Sequence, residues 1–110
     1  MTSVQIAETI LYQLGGNRFA AMTGAKNFCA TRDSEENPSL SMQLGRNAGG
    51  WNRCTIALNG RDLYNVTFEK VPSPAAMFRG AKVKSETHVD IYAEDLAHLF
   101  LEATGLYTSL

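Results

Sequence analysis

Apolar and polar residues recur along the chain with two different periods, and the first of them is helical. Over residues 3–14 (SVQIAETILYQL), isoleucines, leucines and an alanine recur every three to four positions, as in an amphipathic helix. Thr2 and Gln5 match the capping box, in which each side chain hydrogen-bonds the backbone N–H of the other residue. Gly15 follows, so the sequence predicts a capped helix that ends there.

A glycine-rich corner, GGNRFAAMTGAKN (residues 15–27), comes next. Asn17 is predicted to cap a short second helix through Phe19 and Met22, and Gly24 is predicted to close it. The corner would thus turn the chain from helices into a strand, whether or not it also binds a ligand.

From Ala25 the period changes to two, which predicts strands. A weak candidate, KNFCATR, precedes three clearer ones, SLSMQLG, RCTIALN and LYNVTFEKV. Each clear strand alternates apolar with polar side chains, so we expect a sheet that is covered on one face. The alternation places Tyr64 and Phe68 in the core. It leaves polar residues on the open face, namely Ser41, Gln43, Arg53, Thr55, Asn65, Thr67 and Glu69.

The connections and the C-terminal part complete the predicted fold. The pair Asn59–Gly60 predicts a tight hairpin between the last two strands, whereas GRNAGGW (45–51) predicts a longer, mobile connection. A segment with two prolines, VPSPAAMFRGAKVKSE, is predicted to cross with about one helical turn. A final helix is predicted over residues 89–104, with Val89 and Tyr92 in its apolar stripe, Gly105 after it and Leu106 packing on its end.

Asp90, Glu94 and Asp95 are predicted to open this last helix, where carboxylates interact favourably with the positive end of the helix dipole.

These elements predict a single α+β domain over residues 1–110. It would have two layers, with N- and C-terminal helices packed on one face of a three- to four-stranded antiparallel sheet. The apolar fraction of 45% and charged fraction of 19% are typical of globular proteins. The length suffices for one hydrophobic core.

Charge and hydropathy limit the functional classes. The formal net charge of −1 is too small to attract nucleic acid or an acidic membrane from a distance, so such binding would need a local patch. No apolar run approaches the ~20 residues that span a bilayer, and MTSVQIAETI lacks the basic-then-apolar pattern of a signal peptide. We expect a cytoplasmic protein without membrane contact.

The sequence offers no catalytic or metal-binding set, and we expect neither an enzyme nor a cofactor. Cys29 and Cys54 form no CxxC motif, so reduced thiols are expected, although a disulfide would form in an oxidising setting if their strands were neighbours. His88 and His98 are ten residues apart with no third histidine, a spacing that suits surface or packing roles better than a metal site.

The first candidate binding site is the glycine-rich corner. A Walker loop needs G-x-x-x-x-G-K-[ST] between a strand and a helix, and here Ala25 separates glycine from lysine after a helical segment. Nucleotide hydrolysis is therefore excluded. A looser anion site remains open, because exposed amides in glycine turns bind phosphate oxygens. Its side chains would be Asn17, Arg18, Lys26 and Asn27; the alternative is that the glycines serve turns and the cations serve solubility.

The second candidate site is the loop that carries Arg46, Trp51 and Arg53. In a nucleic-acid binder these cations would contact phosphates while the tryptophan stacks on a base. The alternative is a solvated loop in which Trp51 packs over the sheet edge. Further basic residues, Arg79, Lys82 and Lys84, follow the prolines.

Three segments, QLGGNRFAAMTGAKNF, DLYNVTFEKV and TGLYTSL, resemble a group of small phage and prophage proteins of about this length. That group shares a QLGGN-x-F-x-x-MTGAKNF start, a D-x-Y-x-V-x-F-x-K strand and a TGLYT-x-L tail. The resemblance implies an origin in a bacterial mobile element and no particular reaction. This chain departs from the group's pattern at RDSEENP, at GRNAGGW and after Val71.

Three function classes follow, in order of preference. The first is a non-enzymatic accessory protein that binds a macromolecular partner, as a protein adaptor or inhibitor, through the glycine-rich corner or its neighbouring loops, since its polar and cationic residues concentrate in loops. The alternative is a nucleic-acid-binding protein that uses the glycine-rich corner and the basic loops. An enzyme acting on a small molecule comes third. A monomer or a homodimer is compatible with all three.

Overall fold

The computed structural model describes residues 2–105, which form a five-stranded antiparallel sheet with helices before and after it. The predicted α+β class is confirmed, and the sheet has five strands where three to four were expected. A 3₁₀ turn, Ala93–Asp95, precedes the last helix. The elements are α1 (Ser3–Leu14), α2 (Asn17–Thr23), β1 (Lys26–Arg32), β2 (Pro38–Gln43), β3 (Arg53–Leu58), β4 (Tyr64–Lys70), α3 (Pro74–Phe78), β5 (Lys84–Ile91) and α4 (Leu96–Thr104).

The capping box at the start of α1 is confirmed. The Thr2 hydroxyl accepts a hydrogen bond from the N–H of Gln5 (3.2 Å), and the Gln5 side chain accepts one from the N–H of Thr2 (2.8 Å). Two amides that have no partner within the helix are thereby satisfied. As predicted, Gly15 ends α1 and Gly24 ends α2; Gly24 is in the left-handed helical conformation (φ 72°), whereas Gly15 has φ 124°.

The strands form a meander in the order β1-β2-β3-β4-β5, so each strand pairs with its neighbours in sequence. Alternate residues lie on a core face beneath the helices and on an open face. Tyr64 and Phe68, 5% and 0% exposed, lie on the core face as predicted. The predicted open-face residues share the other side, with Ser41 opposite Thr55, Thr55 opposite Thr67, Gln43 opposite Arg53, Arg53 opposite Glu69, and Asn65 opposite Ala57.

Aromatic rings occupy the centre of the core between helices and sheet. Phe19 of α2 meets Phe100 of α4 edge-on with ring centroids 5.1 Å apart, and Phe100 lies 6.0 Å from Phe68 of β4. All three rings are almost fully buried. Burying a side chain of this size contributes about 1.5–3 kcal/mol, so these contacts fix both helices on the same face of the sheet.

The fifth strand overturns part of the C-terminal prediction. Residues 84–91 form β5, and α4 begins at Leu96 rather than near Val89. Val89 and Tyr92 are 61% and 57% exposed and do not belong to the buried stripe of α4. Asp90 does not open that helix either, because it lies in β5 with a left-handed φ of 57°. The spacing is misleading because β5 is an edge strand with few inward side chains, so its alternation is weak.

The predicted hairpin between β3 and β4 is present, with a different residue in the left-handed conformation. The Asn59 N–H donates to the Leu63 carbonyl (2.9 Å), and the Asn59 Oδ1 accepts from the N–H of Arg61 (2.8 Å). Positive φ falls on Asp62 (59°) rather than on Gly60. The physical reason is that the Asn59 side chain accepts a hydrogen bond that a backbone carbonyl would accept in an ordinary turn. The left-handed residue is then Asp62, at the end of the turn.

The β2–β3 loop (residues 44–52) is anchored at several points, although the sequence predicts a mobile connection. The Asn47 amide donates to two carbonyl groups of the loop (2.8 and 2.6 Å) and accepts from the N–H of Trp51 (3.2 Å). The Ala48 N–H donates to the Thr104 carbonyl at the end of α4 (3.0 Å). The loop therefore packs against the helical layer. The predicted packing of Leu106 lies outside the described residues.

Candidate functional site on the open sheet face

A row of small polar side chains crosses the open face of the sheet. Its members lie opposite one another in five successive strands, and the hydroxyl oxygens of Thr67 and Thr87 are 3.2 Å apart. Cys29 and Thr87 at its two ends are exposed, whereas Ser41 is 7% exposed. The row consists of Cys29, Ser41, Thr55, Thr67 and Thr87.

The next row along the strands carries the charges of this face. Lys26 lies opposite Gln43, and Gln43 lies opposite Arg53. Arg53 in turn lies opposite Glu69, an arrangement in which opposite charges contribute a few tenths of a kcal/mol to 1 kcal/mol. Two cations and one carboxylate therefore lie within one row.

A depression of about 650 Å³ opens where this row meets the β1 edge of the sheet. We call it the β1–β3 depression. Three of the seven binding residues predicted from the sequence line it, although they come from two separate segments of the chain. Its polar lining includes Lys26, Asn27, Cys29, Gln43, Asn52 and Arg53.

Asn27 shapes this depression through a bulge in β1. Lys26 pairs with Gln43 and Cys29 pairs with Ser41, so three steps in β1 match two in β2. Asn27 takes up the extra residue with φ 56°, a conformation that asparagine adopts more readily than most residues. Its side-chain amide donates to Gln43 Oε1 (2.7 Å), which fixes both side chains on the open face.

Asn52, which is not among the binding residues predicted from the sequence, fixes the opposite rim of the depression. Its Nδ2 donates to the Val71 carbonyl (2.8 Å), and its Oδ1 accepts from the Val71 N–H (2.9 Å). This two-point contact extends the β3–β4 pairing beyond the last ladder pair. The signal in the sequence was an asparagine directly before a predicted strand. Its partner, the backbone of Val71, becomes apparent only when the register between β3 and β4 is known.

The other end of the open face is partly closed by two turns. Glu35 of the β1–β2 turn and Gly60 of the β3–β4 turn line the same recess. Ser39 and Ala57 are buried near this end (0% and 2% exposed) although their side chains lie on the open face. The open face is therefore concave, closed at this end and accessible at the β1–β3 depression.

A polar network stabilises the closed end. Asn59 Nδ2 donates to Asp90 Oδ1 (2.9 Å) and to Asn65 Oδ1 (3.0 Å), while Arg61 pairs with Asp90 Oδ2 (2.9 Å). The Asp90 N–H also donates to Asn65 Oδ1 (3.2 Å). A second bulge lies here, because the three steps from His88 to Ile91 match two in β4.

The glycine-rich corner places Asn17 and Arg18 on the exposed side of α2, away from the lining of the β1–β3 depression. The predicted cap is wrong, since Gly16 occupies the N-cap position without a side-chain hydrogen bond and Asn17 is the first helical residue. The corner's glycine amides donate to helix carbonyls, with Gly16 bonded to Leu11 (2.9 Å). The glycine amides of the predicted anion site are therefore already hydrogen-bonded within the protein.

Trp51 and Arg53, which the sequence groups with Arg46, lie on opposite sides of the sheet. The half-buried indole of Trp51 packs against Phe68 on the core side, with ring centroids 6.1 Å apart. The Arg53 side chain shares the open face with Glu69. Arg46 is exposed in the β2–β3 loop. Of the two alternatives for Trp51, the structure therefore shows packing over the sheet.

Among the ionisable groups of residues 2–105, the Cys54 thiol shows a large pKa change. Burial raises the pKa of the Cys54 thiol far above its ordinary value, and the negative charge of Glu69 adds to the effect. Cys29 is exposed on β1 and Cys54 is buried on β3, so the strands of the two free thiols are separated by β2.

Within residues 2–105, no three His, Cys, Asp or Glu side chains cluster closely enough to hold a metal ion. The helices of the same region are all too short or too polar to cross a bilayer.

The fold and this geometry define a two-layer α+β domain with a concave polar sheet face and a cationic depression at one end of it. Comparisons with known proteins found no match among protein-family models, curated proteins or solved structures.

Proposed function

We propose that this protein is a non-enzymatic binding module whose open sheet face engages a protein partner, as an adaptor or an inhibitor. The observation that carries the proposal is the convergence of Lys26, Asn27 and Arg53 on the β1–β3 depression. Lysine and arginine supply donors that pair with carboxylates, and the asparagine amide matches backbone groups. A partner segment with an acidic residue would meet complementary groups there.

The rigidity of the lining supports recognition. Asn27 is held by Gln43, and Asn52 is held by the Val71 backbone. Side chains that are already fixed lose less conformational entropy on binding, so more of the interaction energy appears as affinity. The depression therefore suits a shape-specific contact better than a diffuse electrostatic one.

A protein partner fits this face better than nucleic acid. Single-stranded nucleic acid is bound by aromatic side chains that stack on bases. Tyr64 and Phe68 lie on the core face, and Trp51 packs against Phe68. Glu69 opposite Arg53 also weakens the attraction of this row for phosphates.

The proposal includes a bacterial phage or prophage origin, which the resemblance of three sequence segments implies. It also includes a cytoplasmic location, where Cys29 and Cys54, both free in the structure, would remain reduced. An accessory protein of this kind would act by occupying a surface of a host or phage protein.

The test is affinity capture from the bacterial host with three versions of the protein. They are the unmodified chain, a face variant with Lys26→Glu and Arg53→Glu, and a corner variant with Arg18→Glu. Nuclease treatment of half of each sample separates protein partners from nucleic acid. We expect a partner that survives nuclease, is retained by the corner variant and is lost by the face variant, followed by direct titration of the purified partner.

Other outcomes would favour a different function or a different binding site. Loss of the partner with nuclease, and affinity for oligonucleotides that falls steeply with salt, would favour the nucleic-acid alternative. Loss of the partner by the corner variant alone would return the site to the glycine-rich corner. Retention by both variants would overturn the proposed face.

A further inference from the structure

The segment between β4 and β5 exposes an unusual amount of apolar surface. We call residues 73–83 the α3 arm, because they contain the short helix α3. Phe78 at its tip is 93% exposed, and Met77 and Val83 are 46% and 43% exposed. Single exposed apolar residues are common, but a cluster of this kind, centred on an almost fully accessible phenyl ring, is typical of an interaction surface.

The arm is locally well ordered by its own hydrogen bonds. The Ser73 hydroxyl caps α3 by accepting from the Ala76 N–H (3.2 Å), and Pro74 occupies the first turn. At the other end, Gly80 is left-handed (φ 96°) and the Ala81 N–H donates to the Ala76 carbonyl (3.0 Å). Phe78 is therefore presented from a closed helical turn, which reduces the entropy lost on binding.

The arm is also the basic segment of a slightly acidic chain. Residues 71–85 contain three cations, Arg79, Lys82 and Lys84, and no aspartate or glutamate. The formal net charge of the whole chain is −1, so the rest of the molecule is net acidic. An arm with this composition matches an apolar pocket that has a carboxylate at its rim.

Such a pocket lies between α1 and β1. This α1–β1 groove has a volume of about 170 Å³, and its lining is mostly apolar, with Glu8 as its charged member. A dry apolar cavity of roughly 150 Å³ is known to bind a benzene ring, so the groove has the size that a phenyl group requires. Its lining includes Val4, Ala7, Leu11, Phe28, Ala30 and Leu40.

The arm and the groove cannot meet within one molecule. The arm joins β4 to β5 at one edge of the sheet, whereas the groove adjoins β1 at the other edge. Four inter-strand spacings, roughly 19 Å, separate these edges, which is far beyond the reach of a side chain. An arm that enters this groove therefore has to come from another copy.

We propose that two copies of this chain associate with Phe78 of each inserted into the α1–β1 groove of the other. Arg79, next to Phe78, then faces Glu8 at the rim of the groove. Each arm contact is small compared with the ~1,200–2,000 Å² buried in stable complexes, so the dimer forms through the reciprocal pair and is weak.

Sedimentation velocity over a concentration series tests the dimer. We expect reversible dimerisation, a dissociation constant at least about tenfold higher for Phe78→Ser, and weakening by Glu8→Lys. Glu8→Lys combined with Arg79→Glu should recover association, because the ion pair is reversed rather than removed. Tyr12→Ser, which removes an exposed aromatic residue of α1 outside the groove lining, is the matched control and should leave the dimer unchanged.

Phe78 is so exposed that Phe78→Ser should leave the fold intact, which circular dichroism checks. A monomer at every concentration would overturn the proposal, as would a dimer that is insensitive to Phe78→Ser. Longer oligomers would overturn the reciprocal arrangement. Phe78-dependent binding to vesicles of phosphatidylcholine and phosphatidylglycerol by a monomeric protein would assign the arm to a membrane surface instead.

Discussion

The backbone of Gly49 lies so close to the carbonyl oxygen of Ala103 that a Cβ atom added to Gly49 would collide with it. The same atom would come within 2.7 Å of Cδ1 of Trp51. The β2–β3 loop is thus seated between the end of α4 and its own tryptophan. This contact connects the loop beside the candidate site to the helical layer of the domain.

Substitution Gly49→Ala should therefore destabilise the protein by about 1–3 kcal/mol, because the added methyl group forces the loop away from α4. Denaturation by urea, followed by circular dichroism, measures this change. Gly60→Ala is the matched control, since a Cβ there meets nothing within 4 Å and φ is not left-handed. Equal stability of the two variants would contradict the close packing described for Gly49.

Asn47→Ala should loosen the same loop by removing three side-chain hydrogen bonds. We expect a loss of about 1–2 kcal/mol, since a typical intramolecular hydrogen bond contributes about 0.5–1.5 kcal/mol and the freed groups regain water. Trp51 is the only tryptophan of the chain, so a red shift of its fluorescence reports the loss of packing. Asn17→Ala, at an exposed position of α2, should leave the emission unchanged.

Position 90 tests the left-handed conformation of the β5 bulge. Asp90→Ala and Asp90→Gly both remove the contacts with Asn59 and Arg61, but only glycine adopts φ 57° without strain. We therefore expect the alanine variant to be less stable by about 1 kcal/mol. At Ser85, an exposed β5 residue outside the left-handed region, the order should reverse because glycine weakens strands.

The buried Cys54 thiol should make the protein less stable in alkali. In the unfolded chain a thiol has a pKa of about 8.5. Burial raises the pKa of Cys54 in the folded protein, so the folded form stays protonated. Unfolding then releases a proton, so this contribution is fully present below about pH 8.5 and decreases as the pH rises above it. The stability of a Cys54→Val variant, measured over the same pH range, should decline less steeply than that of the unmodified protein.

Alternation along β2, β3 and β4 was sufficient to predict their core and open faces, because each strand buries one side against the helices. The capping box and the terminal glycines of α1 and α2 were likewise visible in the sequence. β5 was not predicted, since an edge strand needs few apolar residues and its Val89 and Tyr92 happen to match helical spacing. Strand formation there depends on pairing with β4, which is a long-range contact.

Only part of the lining of the β1–β3 depression was named from the sequence, and not as a unit. Lys26, Asn27 and Arg53 were named for their chemistry, whereas their convergence depends on Gln43, which lies between β1 and β3. The bulge at Asn27 sets that register, and asparagine alone did not indicate it. Trp51 was separated from Arg53 because the indole gains more from contact with Phe68 than from exposure.

The two bulges have a consequence for how the sheet ends. β1 and β5 are the edge strands, and each carries one extra residue in the left-handed conformation, Asn27 and Asp90. A sixth strand would therefore find evenly spaced hydrogen-bond partners along only part of either edge. Both edges are therefore poor templates for an added strand, which limits extension of the sheet from molecule to molecule.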